Sequence, residues 1–434
     1  MRRRAPLISC FAVASHLLVL CGFAVVLVLV LTASSAAQTC PPCAQMFAPG
    51  VGYLSEGGQL FRTTDNGSHW TNVSVPPLKQ EQVLSVFFLN ASTVWVLLGQ
   101  QDDPEPTFDI AFTNDSGANW SLTPVNLTVN PNVPIMPQGD INFTDVMHGW
   151  VNLSVESGSA FHVGELFRTV DGGKKWIRVG QASSGKVQFI DQRNGWVLNE
   201  MDELSATHDG GGNWEEVSLK PPPTFGTDKL HATYRLPLFS DNKRGALLVD
   251  FSLPASDPET DKRGTDVALY TTADGGKTWK FASVVAHFAF PNSGVLAAMA
   301  DSTLITAQGT GNTLTTQHIS LDAPADVSTT NSDLGFTGGI WALTFATEQQ
   351  GWALTSSAAC GYGSAGSTCS SNLLLGTGDG GATWNNITPG PHLPPTPPPS
   401  TSKPIPLHWK CCINPCKDAQ TKQPVDCRTG KPIE

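Results

Sequence analysis

Charge is what this chain has least of. Asp, Glu, Lys and Arg make up 15% of its 434 residues, against about 25% in an average soluble domain. That excludes a coiled coil, a salt-bridge-laced helical bundle and a charge-rich disordered chain. Basic residues are the scarcer sign, 26 Lys and Arg against 37 Asp and Glu, for a net charge of −11. With no basic stripe, nucleic acid is not an expected partner. An anionic polymer or an anionic lipid surface is an equally poor ligand. Several chemical patterns are also missing: no Gly-x-Ser-x-Gly, no His-Glu-x-x-His and no phosphate loop. No cofactor or metal spacing stands out. What is plentiful is glycine and proline, 41 and 32 residues, well above their joint average of about 12%. The composition is that of a turn-rich, strand-built protein.

The N-terminus carries a membrane signal. Arg2, Arg3 and Arg4 precede a stretch without charge, almost wholly apolar from Leu17 to Leu31. Extended to Phe11 and Ala33, it is long enough to span hydrocarbon as one transmembrane helix. The positive-inside rule puts the arginines in the cytoplasm and the rest of the chain outside. Ser35-Ala36-Ala37 before Gln38 also suits a signal peptidase. The two readings, a single-pass membrane protein and a secreted one, stay open. Both make everything from Gln38 onward extracytoplasmic.

Eight cysteines lie in that outer part: Cys40, Cys43, Cys360, Cys369, Cys411, Cys412, Cys416 and Cys427. An even number in an oxidising compartment reads as disulfides, with pairing not deducible. Cys360 and Cys369 flank a Gly/Ser-rich loop that a bond would staple. The others sit at the two ends of the outer part, placed to tie those ends together.

Between those ends one pattern, Thr-x-Asp-x-Gly-x-x-Trp, occurs six times. Its Asp and Trp residues are Asp65 and Trp70, Asp115 and Trp120, Asp171 and Trp176, Asp209 and Trp214, Asp274 and Trp279, and Asp379 and Trp384. An apolar strand leads into each copy. Asp and Gly then suit a tight hairpin, the carboxylate accepting turn amides and Gly taking positive φ. Trp opens the return strand with a ring to bury. These Asp residues read as turn clips, not catalysts. A second pattern, a strand and then Gly-Trp, precedes the boxes at Gly149-Trp150, Gly195-Trp196 and Gly351-Trp352. Weaker copies are Gly52-Tyr53, Val94-Trp95, Gly245-Ala246 and Gly294-Val295. That makes seven units, with six or eight still open. The sixth, expected at about His287–Asp322, has no box, and Gly309–Asn312 is read in its place. Four short strands per unit, repeated, predict an all-β protein, a β-propeller of four-stranded blades. Each blade is expected from one contiguous repeat, with the terminal cysteines as candidates for locking the ring.

The sixfold motif resembles the Asp-box, or BNR repeat, of sialidase-type, sortilin-type and photosystem II assembly-factor-like propellers. Within that resemblance, Tyr234-Arg235-Leu236-Pro237 looks like the sialidase motif whose Arg grips a substrate carboxylate. It makes Arg235 and Tyr234 candidate binding residues. The sialidase pattern also needs two further arginines and a Tyr–Glu pair, and this chain, with only four tyrosines, has no recognisable context for them.

Four segments follow: 1–37, the Arg cluster with anchor or signal peptide; 38–388, the propeller; 389–409, a Pro-rich linker; and 410–434, a Cys-rich tail. The expected function is a non-enzymatic binding or scaffold module at the cell membrane, monomeric, for a protein or glycan ligand. The alternatives are a sialidase-like hydrolase or lectin using Arg235, and a photosystem assembly-type chaperone.

Overall fold

A computed structural model describes residues 43–389, apart from 57, 77–80, 101–107, 126–134, 157–161, 224–229, 253–263, 289–293, 335–338 and 358–370. It also describes two short strands, Cys416–Lys417 and Pro424–Val425. The apolar Leu17–Leu31 segment and the Pro-rich linker lie outside the described residues. So do Cys40, Cys360, Cys369, Cys411, Cys412 and Cys427, and the side chains of Cys43 and Cys416. Among the described residues no helix is long and apolar enough to cross a membrane.

The described chain is all β. Blade 1 is Cys43–Ala48, Val51–Glu56, Gln59–Thr63 and Thr71–Asn72, paired antiparallel in chain order. Six more sheets repeat this order: blade 2 over 81–125, blade 3 over 135–183, blade 4 over 185–216, blade 5 over 231–288, blade 6 over 296–333 and blade 7 over 340–386. Among the described residues no strand is exchanged between blades. In blade 5 the first strand is split into His231–Tyr234 and Leu238–Phe239, both paired with Gly245–Ser252. Pro237 lies in the break, where its missing N–H removes a ladder bond.

The sheets stack face to face, so a blade buries both faces. The second strand of blade 5, Gly245–Ser252, is buried at every residue but the last, with no alternation of polar and apolar. Among the described residues there are seven cores, one per neighbouring pair of blades. Val86 and Phe88 pack with Tyr53 between blades 1 and 2, and Trp150 with Phe189 between blades 3 and 4. The last pair closes the ring: Met46, Leu54 and Trp70 of blade 1 share a core with Trp352, Leu354 and Leu374 of blade 7. Trp70 Nε1 donates to Ile387 O at 3.1 Å, and Trp352 Nε1 to Asn66 Oδ1 at 2.9 Å. Ring closure is therefore made by packing and hydrogen bonds across contiguous repeats.

The first strands lie innermost, beside one another from blade to blade. Each leaves one edge without a strand partner. Neighbouring side chains satisfy those backbone groups, as buried amides demand. Asp140 of blade 3 accepts from the Ser85 hydroxyl on one side (2.9 Å) and from the Val187 amide on the other (2.8 Å). Asn142 accepts from the Phe189 amide at 3.0 Å, and the Thr344 hydroxyl from the Met46 amide at 3.2 Å.

Blade 6 departs from the sequence reading. It begins at Leu296 and ends at Asp333, and His287 belongs to the outer strand of blade 5, Lys280–Phe288. Gly294-Val295 leads into the first strand of blade 6, Leu296–Ala300, not the second. Gly309–Asn312 is the hairpin between its second and third strands, Thr303–Thr310 and Thr313–Ser320. The box position, between third and outer strand, is Ser320–Asp326.

Candidate functional site

All six Thr-x-Asp turns join the third strand of a blade to its outer strand, so they share one face of the ring. Each is built alike. The Thr hydroxyl donates to Asp Oδ1 (2.8–2.9 Å), and the Gly amide donates back to that hydroxyl (2.9–3.0 Å). The amide four residues after Asp donates to Oδ1 at 2.8–3.0 Å. The chain turns through two successive positive-φ residues, Asn66 (56°) and Gly67 (84°) in blade 1, Gly210 (86°) and Gly211 (99°) in blade 4.

The donors hold the carboxylates ionised. Asp115 is lowered to about 2 by the side chain and then the amide of Asn119, and Asp209 likewise by Asn213. Asp65 falls to about 2 through the ring and amide of His69. For Asp274 partial burial pushes upward, but the hydroxyl and amide of Thr278 outweigh it, again to about 2. Asp171 and Asp379 are lowered too, chiefly by the Lys175 amide and the Thr383 hydroxyl. Five of them have both oxygens occupied by their own loop and Asp171 has its Oδ1 so occupied, which makes these carboxylates structural.

Each turn is clipped to the inner turn of its own blade. The residue after Asp donates its amide to that turn, as Asn66 to Gly50 O, Gly210 to Arg193 O and Gly380 to Gln349 O, at 2.8–2.9 Å. The inner turns are themselves capped by residues that motif reading passed over: Asn90, Asp145, Asp191 and Asp241. Each accepts two amides, at 2.7–2.9 Å. Their signal was present, an Asn or Asp four residues before the residue that opens the second strand.

The turns are also seated on the preceding blade, through the Gly-Trp pattern. Trp95, Trp150, Trp196 and Trp352 are fully buried, more deeply than most box tryptophans. The Trp of one blade stacks on the inner-strand Phe of the next. Trp95–Phe143 and Trp150–Phe189 both lie at 3.9 Å, within 10° of parallel. That Phe covers the next blade's own Gly: a Cβ on Gly149 or Gly195 would sit 2.4–2.5 Å from the ring, which excludes any other residue. The same tryptophans reach the next box. Trp150 Nε1 donates to Gly210 O at 3.2 Å, and a Cβ on Gly276 would sit 2.3 Å from Trp196.

Blade 6 breaks the series at every point. Its turn reads Ser320-Leu321-Asp322-Ala323-Pro324, with Pro where the others have the positive-φ Gly, a conformation Pro cannot take. Asp322 turns instead to Arg244 of blade 5, 3.6 Å away. The aromatic seat on blade 5 is missing as well, since Ala246 stands where blades 1, 2, 3, 4 and 7 carry Tyr53, Trp95, Trp150, Trp196 and Trp352; blade 6 has Leu304 there. Two cavities flank the short turn. One, of about 350 Å³, lies toward blade 5 and is lined by Arg244, Asp274, Thr278, Lys280 and Asp322. The larger, of about 760 Å³, lies toward blade 7 and includes Thr303, His318, Asp326, Glu348 and Asp379. Blade 7 keeps its box by another seat: His318 Nε2 donates to Gly380 O at 2.8 Å, its ring edge-on to Phe345.

Arg235 lies in the break of the inner strand of blade 5. Its guanidinium pairs with Asp250 on the next strand, at 2.9 Å. Tyr234 is buried, and its hydroxyl accepts the Leu219 amide at 3.0 Å. Burial pushes its pKa up. Two other arginines have their own local partners: Arg193 donates to His208 O, and Arg244 pairs with Asp241. Arg263 lies outside the described residues.

No protein-family model matches this chain, and no curated protein does. Among solved structures the fold is similar to YCF48 from Cyanidioschyzon merolae, at 14% identity and a TM-score of 0.42, over 72% of this chain and 87% of that one. It is also similar to the GH93 α-L-arabinofuranosidase of Fusarium graminearum, at 13% identity and a TM-score of 0.36, over 61% of this chain and 84% of that one. A third likeness is the β-propeller domain of Nup133 from Vanderwaltozyma polyspora, at 11% identity and a TM-score of 0.41, over 74% and 95%. The blade count stands on this chain's own strand order and cores.

Proposed function

We propose that the protein is an extracytoplasmic binding or scaffold module, an Asp-box propeller held at the cell membrane by its N-terminal apolar segment. Its ring presents a ligand-holding surface for a protein or glycan and performs no turnover. The observation that carries this reading is the Arg235–Asp250 pair. The one motif that resembles a substrate-gripping arginine is engaged by a carboxylate of its own blade. The tyrosine beside it is spent on a backbone amide. A half-buried guanidinium paired with the buried Asp250 serves the blade, since releasing it would leave Asp250 uncompensated.

Two experiments test the reading. Fluorogenic glycosides, sialosides first, are offered to the wild type and to Arg235→Ala, and neither is expected to turn them over. Turnover by the wild type that disappears in Arg235→Ala overturns the binding-module reading in favour of a hydrolase. For the anchor, N-terminal sequencing of the protein from the membrane fraction is expected to find residues before Gln38. A mature chain beginning at Gln38 makes the module a secreted one.

A further inference from the structure

We propose that blade 3, on the face of the ring that carries the six turns, docks a partner polypeptide through a segment that sets aliphatic side chains beside carboxylates. The proposal rests on the binding-module reading and names the face and the partner chemistry. Val146 and Met147 stand in the inner turn of blade 3 and Val170 in its box, each 45–50% exposed. Elsewhere in the ring these places hold polar or small residues. The inner turn has Gln192-Arg193 in blade 4 and Glu348-Gln349 in blade 7. The other five boxes have Thr64, Asn114, His208, Ala273 and Gly378 in place of Val170.

The three side chains share one patch. The Gly172 amide, two residues past Val170, donates to Met147 O at 2.9 Å, and a Cβ on Gly172 would sit 2.9 Å from Val146 O. In blade 4 the positions of Met147 and Val170 touch, since Arg193 Nε donates to His208 O. Exposed apolar residues scattered singly are ordinary, but a cluster on one blade marks a surface that is covered in use. The same hairpin runs on past Trp176 into Ile177, which is 60% exposed. The other boxes open that strand with Thr71, Ser121, Glu215, Lys280 and Asn385.

Charge decides what covers it. Between Val170 and Ile177 the box carries Lys174-Lys175, both exposed, and no other box has two lysines there. In the five other boxes the second of these side chains bonds back to its own Asp: His69, Asn119, Asn213, Thr278 and Thr383, at 2.6–2.7 Å. Among the described residues Lys175 forms no such bond. The nearby carboxylates are engaged by their own turns, Asp145 by the Met147 and His148 amides and Asp171 by the Lys175 amide. Two ammonium groups beside an apolar patch match a segment with acidic and aliphatic side chains together. Its carboxylates meet the lysines, and its aliphatic groups cover Val146, Met147 and Val170.

Two nearer occupants do not match. The chain's own tail, residues 410–434, has five Lys and Arg against three Asp and Glu, the wrong sign. An N-terminal anchor would hold the opposite face toward the membrane. The chain enters blade 1 at Cys43 and reaches the turns only at the far end of that strand, where Gly50 O accepts the Asn66 amide.

The test uses the full-length protein in phosphatidylcholine nanodiscs and the anisotropy of a labelled peptide, fluorescein-Gly-Leu-Asp-Leu-Glu-Leu-Asp-Gly-amide. Saturable binding is expected. It should be about tenfold weaker for a peptide with Asn and Gln in place of the acids, and for one with Ser in place of the leucines. Met147→Ser/Val170→Ser and Lys174→Gln/Lys175→Gln should each weaken it by a similar factor. Met201→Ser, an exposed methionine on the opposite face, between the second and third strands of blade 4, should leave it unchanged. If a double variant fails to fold, Val170→Ser alone is expected to weaken binding about threefold. No saturable binding, or equal binding by folded variants, overturns the proposal. Two further outcomes overturn it by reassigning the patch. Self-association in sedimentation velocity that Met147→Ser/Val170→Ser abolishes makes the occupant a second copy of this chain. Co-sedimentation of the nanodiscs with phosphatidylglycerol vesicles that Lys174→Gln/Lys175→Gln abolishes makes it a lipid surface. Each of these failures leaves the non-enzymatic reading standing, because the glycoside assay tests it separately.

Discussion

The second strand of blade 4 opens with Gly195-Trp196, and the second strand of blade 5 opens with Gly245-Ala246. Around the first pair everything is filled. Trp196 is fully buried, lies 4.9 Å from Phe239 of the next blade and fits against Gly276 of the next box. Past the second pair the next blade has no box, no Phe opposite and a cavity beside its turn. The difference teaches what the repeating unit is. An aromatic residue on one blade and the box it seats on the next form one device, and where blade 6 has Leu304 in place of the Trp, His318 takes over the seat for the box of blade 7. The unit of packing is offset from the unit of sequence. That suits a stack in which each repeat buries its faces only against its neighbours.

The comparison can be broken most severely at Trp196. Trp196→Ala empties a fully buried site shared by two blades and is expected to cost about 3–5 kcal/mol, read as a fall in the urea midpoint. A loss below about 1 kcal/mol would mean that the box of blade 5 holds without its seat. The converse is Ala246→Trp. Where a box is present the ring has a place to go, but here it has none, so overpacking of about 1–3 kcal/mol is expected. A stabilised Ala246→Trp protein would show that blade 6 already offers a socket.

Smaller effects sharpen the picture. His318→Ala removes the bond to Gly380 O and is expected to cost about 1 kcal/mol, while His318→Phe keeps the ring contact with Phe345 and isolates the hydrogen bond. The last test uses pH. Asp209 titrates near 2 in the folded blade and near 3.9 in an unfolded chain. A depressed carboxyl contributes stability that is complete above the unfolded value and is lost as pH falls through the folded one. The gap in urea midpoint between wild type and Asp209→Asn is therefore expected to hold above pH 4 and close toward pH 2. A gap that persists at pH 2 would show that Asp209 works by shape and not by charge.

Much of the fold was legible because blades are short and local. Six Thr-x-Asp turns could be placed from spacing alone, since hydroxyl, carboxylate and glycine all act within eight residues. Blade 6 was misplaced for an equally physical reason. Gly309–Asn312 looks like a degenerate turn, and the informative residue, Pro324, signals only through a φ angle it cannot adopt. The binding candidate at Arg235 was readable as a motif, but its partner Asp250 stands fifteen residues on, across a strand pairing. The cleft between blades 6 and 7 had no motif at all. It is made by what blade 6 lacks and by residues of blade 7.

By itself the sequence determined the strand-built class, the period and the turn chemistry, because each depends on dihedral preferences and hydrogen bonds between near neighbours. Only the tertiary structure decided how the ring closes, which tryptophan seats which box, and where the stack leaves an opening. Those are contacts between blades, set by the shapes of two faces meeting, and no single repeat contains both.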